Sequence, residues 1–328
     1  MAYLVTGGAG FIGSRLARRL LDRGETVVIL DNFNNYYDPA LKRRNIAWLG
    51  RHPQLTMIEG DIRDRDTAET LFNQHEITHI AHMAAMPGVR ASIKQAHLYW
   101  DVNLTGSTTL LEAAMRMADI QGIVLASTSS VYGETQNIPF VETDAADRPL
   151  AAYPASKRAM EMMGHTYFNL YKVPVTALRF FNIYGPMGRP DMMPLKLMEA
   201  AFSGKQIKLF NGGDIRRDWT YIDDAVDGVL AALDRPLGYA VINIGLGKPI
   251  LLTDFVEIIE ELTGREINKI TVPTPLSDPP ITYCDNTRAQ QLLGFDPQVP
   301  LREGLQRTWE WFREDETGSR LIRTAPDA

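Results

Sequence analysis

The apolar positions of the chain change period from one segment to the next. Residues 2–6 (AYLVT) and 26–30 (TVVIL) are short apolar runs rich in β-branched side chains, which predict buried strands. Between them Ile12, Leu16, Leu20 and Leu21 recur at helical spacing, predicting a helix over 11–23. The alternation continues with helices at 39–49, 64–73, 100–118 and 153–171 and strands at 55–59, 77–81, 122–126 and 174–181. Within 153–171, Ala159, Met160, Met163 and Tyr167 form a candidate buried stripe. Strands that alternate with helices predict an α/β fold, a doubly wound, Rossmann-type parallel sheet with helices on both faces. After about residue 182 the rhythm loosens. Helices are expected near 193–203, 223–234, 253–263 and 301–314, short strands at 207–210, 241–244 and 269–272, and loop or edge structure over the Pro-rich 273–280. The expected division is a large first domain, mainly 1–181, and a smaller mixed α/β cap, mainly 182–316. Segments of the second half are allowed to return to the first sheet, and 317–328 is expected to fray.

Composition adds exclusions. The 328 residues exceed the usual single-domain size, and 45% hydrophobic with 23% charged residues is ordinary globular usage. The formal charge of −6 argues against nucleic-acid or anionic-membrane surfaces, though not against a local cationic pocket. Cys284 is the single cysteine, so neither an intrachain disulfide nor a thiolate metal cluster can form. His79 and His82 lack a metal-ligand pattern around them, so no metal is expected. Met1 leads straight into a strand, and the apolar runs are short of a membrane span, which predicts a cytoplasmic protein.

The chemistry begins at GGAGFIG, residues 7–13. Gly7 and Gly10 allow a tight turn and close approach to a pyrophosphate. Gly13 allows the helix to pack on the sheet, and the helix N-terminus faces the phosphate charge. Asp31, at the end of the second strand, can accept both ribose hydroxyls of an adenosine and would repel a 2′-phosphate, so NAD is expected over NADP. Asp61 and Ile62 offer an adenine contact, or else a loop cap. Lys42 and Arg43 are either phosphate contacts or surface helix charges. Thr128, Ser129 and Ser130 follow a strand, and Tyr153 and Lys157 lie four apart at a helix start. A Lys ammonium beside a Tyr hydroxyl favours the phenolate, which provides a base for alcohol oxidation.

In order and spacing, GGAGFIG, HMAA (82–85), NLTG (103–106), STSSVYG (127–133), YPASK (153–157), RFFNIYGP (179–186) and RRDWTYIDD (216–224) resemble the extended short-chain dehydrogenases/reductases of the sugar-nucleotide epimerase/dehydratase group. The likeness covers about residues 2–314. It implies a Thr128–Tyr153–Lys157 catalytic set, with Lys157 also on the nicotinamide ribose and Phe11, Ile12, Asn32, Ala81 and Ala84 beside the cofactor. Dehydratases of the group carry Asp-Glu where this chain has Ser129-Ser130, which disfavours 4,6-dehydration. Residues 31–45, 87–93 (PGVRASI) and 188–197 (GRPDMMPLKL) are similar to UDP-glucuronate 4-epimerases.

That likeness implies reversible, NAD-dependent 4-epimerisation of UDP-glucuronate to UDP-galacturonate through a 4-keto sugar, with NAD regenerated at each turnover. Thr128, Ser129, Ser130, Asn182, Arg90, Arg189, Arg217 and Asp278 would touch the UDP-sugar. Arg189 would lie at the sugar carboxylate or the closure over it, and Arg217, with Arg90 as a second candidate, at the diphosphate. Asn182 stands where many such epimerases carry Thr, which keeps open a neutral UDP-hexose 4-epimerase or a UDP-glucuronate decarboxylase. A cofactor-sensing protein without catalysis would not need Tyr153, Lys157 and Thr128 together. The resemblance also implies a homodimer built on the helices after residue 100 and over 153–171.

Overall fold

The computed structural model describes residues 1–275 and 278–314. The first half runs β1 (Ala2–Thr6), α1 (Phe11–Asp22), β2 (Val27–Asp31), α2 (Pro39–Leu49), β3 (Leu55–Glu59), α3 (Arg65–Gln74), β4 (Ile77–His82), α4 (Val89–Lys94), α5 (Ala96–Trp100), α6 (Ser107–Met117), β5 (Gly122–Thr128), α7 (Ala152–Tyr171) and β6 (Val175–Phe180). The second half adds β7 (Ile183–Tyr184), α8 (Met193–Ser203), β8 (Ile207–Phe210), β9 (Arg216–Asp218), β10 (Thr220–Tyr221), α9 (Ile222–Asp234), β11 (Tyr239–Ile244), β12 (Pro249–Leu251), α10 (Leu252–Thr263), β13 (Lys269–Val272), β14 (Ile281–Thr282), α11 (Thr287–Leu293) and α12 (Leu301–Glu314). None of the described helices is long and apolar enough to cross a membrane.

Seven strands form one sheet in the order β11-β6-β5-β4-β1-β2-β3. Every pairing in it is parallel. A sheet covered on both faces needs apolar side chains in both directions, and every residue of β2, β5 and β6 is buried. Val5, Ile29, Ala81 and Val124 pack on one face with Leu16 and Leu20 of α1 and Val226 of α9. Leu4, Leu30, Ile80 and Ile123 pack on the other with Leu71 of α3, Leu110 of α6 and Met160 of α7. The cap is built from small sheets: β13 beside β8, β12 and β14 beside β9, and β10 beside β7.

Some sequence expectations change. Asp31 closes β2 rather than following it, and β5 runs two residues past 126 to end on Thr128. The helix expected over 100–118 starts at Ala96 and widens into a π turn over Asp101–Gly106. Such turns often mark functional sites. Here the turn buries Asn103, whose Oδ1 accepts the Met86 N–H at 2.7 Å and whose Nδ2 donates to Met86 O and Ser156 Oγ, both at 3.0 Å. In α7 Met160 and Tyr167 are buried, but Ala159 and Met163 are only partly so, and Lys157, Glu161 and Gly164 complete the buried face. The strand expected at 241–244 is β11, which returns to the large sheet beside β6. Of the terminal aromatics, Phe312 is buried with the cap core and Trp309 packs near Phe202, while Trp311 meets Arg44 of α2 in the first half. The tail 317–328 lies outside the described residues.

Candidate active site

The strand order reverses between β4 and β1, so their C-terminal ends open a crevice, the usual ligand position in such sheets. Gly7 leaves β1 at φ +66°, and a Cβ there would stand 2.8 Å from Ala84 N, just beyond β4. A Cβ on Gly13 would stand 2.3 Å from Gly7 O. The turn is thus closed to side chains and leaves bare backbone facing the crevice. At Gly10 the N-terminus of α1 has no side-chain cap and no acid in its first turn, so its amides remain available to an anion. Phe11 is buried and Ile12 half-buried on that turn.

Asp31 lies at the rim, nearly buried. Its Oδ2 accepts Ala9 N–H at 3.1 Å and its Oδ1 accepts Phe33 N–H at 2.9 Å. Asn32 Nδ2 donates to Asp61 Oδ2 at 2.9 Å. Hydrogen bonds from Arg63 hold the Asp61 carboxyl down at about 2, and Ile62 is buried beside it. Ala81 is buried in β4, and Ala84 N donates to Thr6 Oγ1 at 3.1 Å. These groups line one crevice, and its bare backbone, anion-ready helix end and ribose-side carboxylate fit an NAD molecule. Lys42, read as either a phosphate contact or a surface charge, is buried with its amine over the Tyr37 ring, 5.1 Å from the centroid. His82 is a core group: its ring nitrogens meet Thr6 Oγ1 and Ser107 Oγ, each at 2.8 Å, and burial pushes its pKa to about 3.

Thr128 at the end of β5 and Tyr153 at the start of α7 meet above this crevice. Burial raises the Tyr153 hydroxyl pKa, against a hydrogen bond from Thr128 and the charge of Arg189, which lower it. Lys157, one turn on, points its Nζ at Ala126 O, 2.7 Å away, and burial brings its pKa to about 7, opposed by Glu161. Lys157 is the cation expected to act on Tyr153; Arg189, expected only at the sugar nucleotide, also lowers its hydroxyl pKa.

Glu161 escaped the sequence analysis. It is fully buried and accepts Ser127 Oγ at 2.5 Å, Arg179 Nε at 2.9 Å, Arg179 Nη2 at 2.8 Å and Arg158 Nη1 at 3.2 Å. Its one signal was the spacing Tyr153–Lys157–Glu161, which keeps all three on one helix face. Asn103, unassigned within NLTG, ties Ser156 of the catalytic helix to the 86–88 loop.

The groups expected at the sugar nucleotide fall into two sets. Asp278 joins Arg217 by a short ion pair and Arg90 Nη2 at 3.1 Å, and the Arg90 guanidinium lies 4.4 Å from the Phe210 ring centroid. Arg189 pairs with a different carboxylate. Its Nε and Nη2 hold Asp191 Oδ1 and Oδ2 at 2.9 and 2.8 Å. Ser129 and Ser130 are half-buried on a tight turn in which Thr128 Oγ1 accepts Ser130 N–H at 3.2 Å. Asn182, between β6 and β7, is half-buried, and its carbonyl accepts Thr220 N–H at 3.3 Å. Met193 packs on the cap core, whereas Met192 Sδ lies 3.5 Å from Arg189 Nη2.

Comparison with known proteins places this geometry. Residues 3–245 match the NAD dependent epimerase/dehydratase family. A probable UDP-glucuronate 4-epimerase of Rhizobium meliloti is 39% identical, with 96% of this chain and 98% of that protein covered. The UDP-glucuronate 4-epimerase of Thermodesulfobacterium geofontis is also 39% identical, covering 95% and 96%. The crystal structure of the Bacillus cereus UDP-glucuronic acid 4-epimerase, in complex with UDP-glucuronic acid and NAD, superposes with a TM-score of 0.89 at 34% identity, covering 96% and 99%. With its parallel sheet, glycine turn and Tyr–Lys helix, the chain belongs to the NAD dependent epimerase/dehydratase family.

Proposed function

We propose that this enzyme interconverts UDP-glucuronate and UDP-galacturonate by inversion at sugar C4. The observation that carries the reading is the run of contacts from Arg189 to Tyr153: the guanidinium lies 5.8 Å from the Tyr36 ring centroid, the Tyr36 and Tyr99 hydroxyls both close on the Pro87–Gly88 loop, and the Tyr99 ring centroid stands 6.1 Å from that of Tyr153. A proton acceptor and a carboxylate holder then share one site, which is what a uronate with its reacting carbon at C4 requires.

NAD, when bound, supplies the acceptor and then the donor of the hydride at C4. Gly7, Gly10, Gly13 and the first turn of α1 would hold its diphosphate, Asp31 and Asn32 its adenosine ribose, Asp61 and Ile62 the adenine, and Lys157 the nicotinamide ribose. Tyr153 takes the O4 proton and later returns it, with Thr128 steadying the same oxygen. Because burial raises the hydroxyl's pKa, the positive charges that gather around it in the loaded site are needed to release the proton. Arg217 and Arg90 bind the diphosphate, and Asp278 must share them with it. The work divides between a cofactor half, mainly 1–181, and a sugar-nucleotide half, mainly 182–316.

Incubation with UDP-glucuronate, followed by mass and NMR analysis, tests the reading. A product of unchanged mass with C4 inverted supports it; UDP-glucuronate recovered intact overturns it. A neutral UDP-hexose is the second reading, favoured by one observation: Arg189 already holds a carboxylate, that of Asp191. Parallel assays with UDP-glucose separate the two.

The same reading includes a cytoplasmic homodimer. Trp100 on α5 and Met162, Leu170 and Tyr171 on α7 are exposed, a pattern that supports pairing along these helices. Light scattering checks it: a mass near twice 36.8 kDa is expected.

A further inference from the structure

The three segments that set this sequence beside the glucuronate epimerases lie far apart along the chain, yet they meet at one point. Tyr36 comes from the loop after β2, Gly88 from the loop before α4, and Arg189 and Asp191 from the loop before α8. Tyr36 OH donates to Asp191 Oδ2 at 3.2 Å. Gly88 has φ +96°, and a Cβ there would lie 2.4 Å from the Tyr36 hydroxyl oxygen, so the phenol end is lodged against bare backbone. Tyr99 OH fixes the same loop through Pro87 O at 2.5 Å. The Arg189 guanidinium lies 5.8 Å from the Tyr36 ring centroid. Burial raises the Tyr36 hydroxyl to about 12, so it stays a donor at neutral pH.

Asp191 occupies the Nε–Nη2 edge of the guanidinium. Among the described residues no hydrogen bond uses Nη1, which leaves the outer edge for a second carboxylate. We propose that Tyr36 and Asp191 are positioning residues that brace Arg189 from behind, and that this brace decides whether a 4-keto uronate is epimerised or loses CO₂. The proposal rests on the uronate reading above.

The chemistry makes the brace necessary. With C4 oxidised, the sugar is a β-keto acid. If the C5–C6 bond lines up with the C4 carbonyl π system, it breaks, CO₂ leaves, the electron pair passes into the C4–C5 enolate, and C5 then takes a proton from the site or from solvent. No further reactant is needed. Holding the carboxylate so that C5–C6 lies near the carbonyl plane suppresses that path, and the holding group must itself be fixed in angle. A guanidinium gripped at two atoms by Asp191 is fixed, and one without that grip swings about its side chain.

The test is the product partition from UDP-glucuronate in the wild type, Tyr36→Phe and Asp191→Asn, read by mass as UDP-pentose against UDP-hexuronate. We expect the UDP-pentose share to rise about tenfold in Asp191→Asn, equivalent to about 1.4 kcal/mol between competing barriers, and by a smaller factor in Tyr36→Phe, which removes one hydroxyl. A general loss of folded enzyme slows both branches and leaves their ratio where it was. If both variants turn over UDP-glucuronate at the wild-type ratio, the brace is overturned and the substrate reading stands. If the wild type leaves UDP-glucuronate untouched while epimerising UDP-glucose, the substrate reading falls, and the brace falls with it.

Discussion

The two sides of the cleft are made of different material. The cofactor crevice is built from backbone: bare glycines at 7 and 13, the open end of α1, and an acid held by two amides. The sugar side is built from ion pairs, Arg217 and Arg90 with Asp278 between distant segments and Arg189 with Asp191 inside one loop. A backbone cradle binds by shape and is intolerant of added atoms. Paired charges bind by sharing: Arg217 and Arg90 must give up part of Asp278 to receive the ligand's diphosphate, while Arg189 keeps Asp191 and offers its outer edge.

The largest expected effect falls where the two sides meet. Tyr153→Phe should lower kcat about 10³-fold, within the range of general acid–base catalysis, while purified protein keeps its NAD; near-normal turnover would remove Tyr153 from its role. Gly13→Val should next strip the cofactor, since its Cβ would overlap Gly7 O. Released NAD, measured by absorbance after denaturation, should fall to a few percent of wild type by rough estimate, and a full complement would break the account of the crevice. Arg217→Ala should raise KM for the UDP-sugar about ten- to hundredfold with NAD content unchanged, and should flatten the salt dependence of KM; equal losses on both sides would erase the comparison.

The crevice was readable because its determinants are local. Gly7, Gly10 and Gly13 lie within one turn, and Tyr153 and Lys157 within one helical turn, so spacing together with the flanking strand and helix carried the geometry. The ion pairs were not readable, because each partner has a plausible local role of its own. Asp191 after a Pro reads as a turn residue, and Tyr36 lies 155 positions away from it. Glu161 gave no signal beyond its helical spacing, because Arg179 and Ser127, which close over it, come from strands β6 and β5. Arg189 was placed by resemblance near the sugar, but its influence on Tyr153 needed β5, α7 and the 188–191 loop in three dimensions.

The last effect concerns stability and leaves both sides of the cleft untouched. His82 keeps a folded pKa of about 3, below its ordinary 6.5. Between those values the unfolded chain carries a proton that the folded chain lacks. Stability from this group is therefore complete above pH 6.5 and declines by about 1.4 kcal/mol per pH unit as pH falls toward 3. His82→Gln should remove that slope in urea melts taken from pH 6 to pH 4; an unchanged slope would assign acid sensitivity to other groups.

The place of β11 bears on how the chain is made. Its pairing with β6 supplies the outermost strand of the large sheet from residues 239–244. A nascent chain emerging from the ribosome carries β6 with a bare edge until those residues follow, and a bare edge invites pairing with the wrong chain. Synthesis halted between residues 182 and 238 is therefore expected to leave protease-sensitive, chaperone-dependent fragments, and protease resistance should appear abruptly once β11 has cleared the exit tunnel.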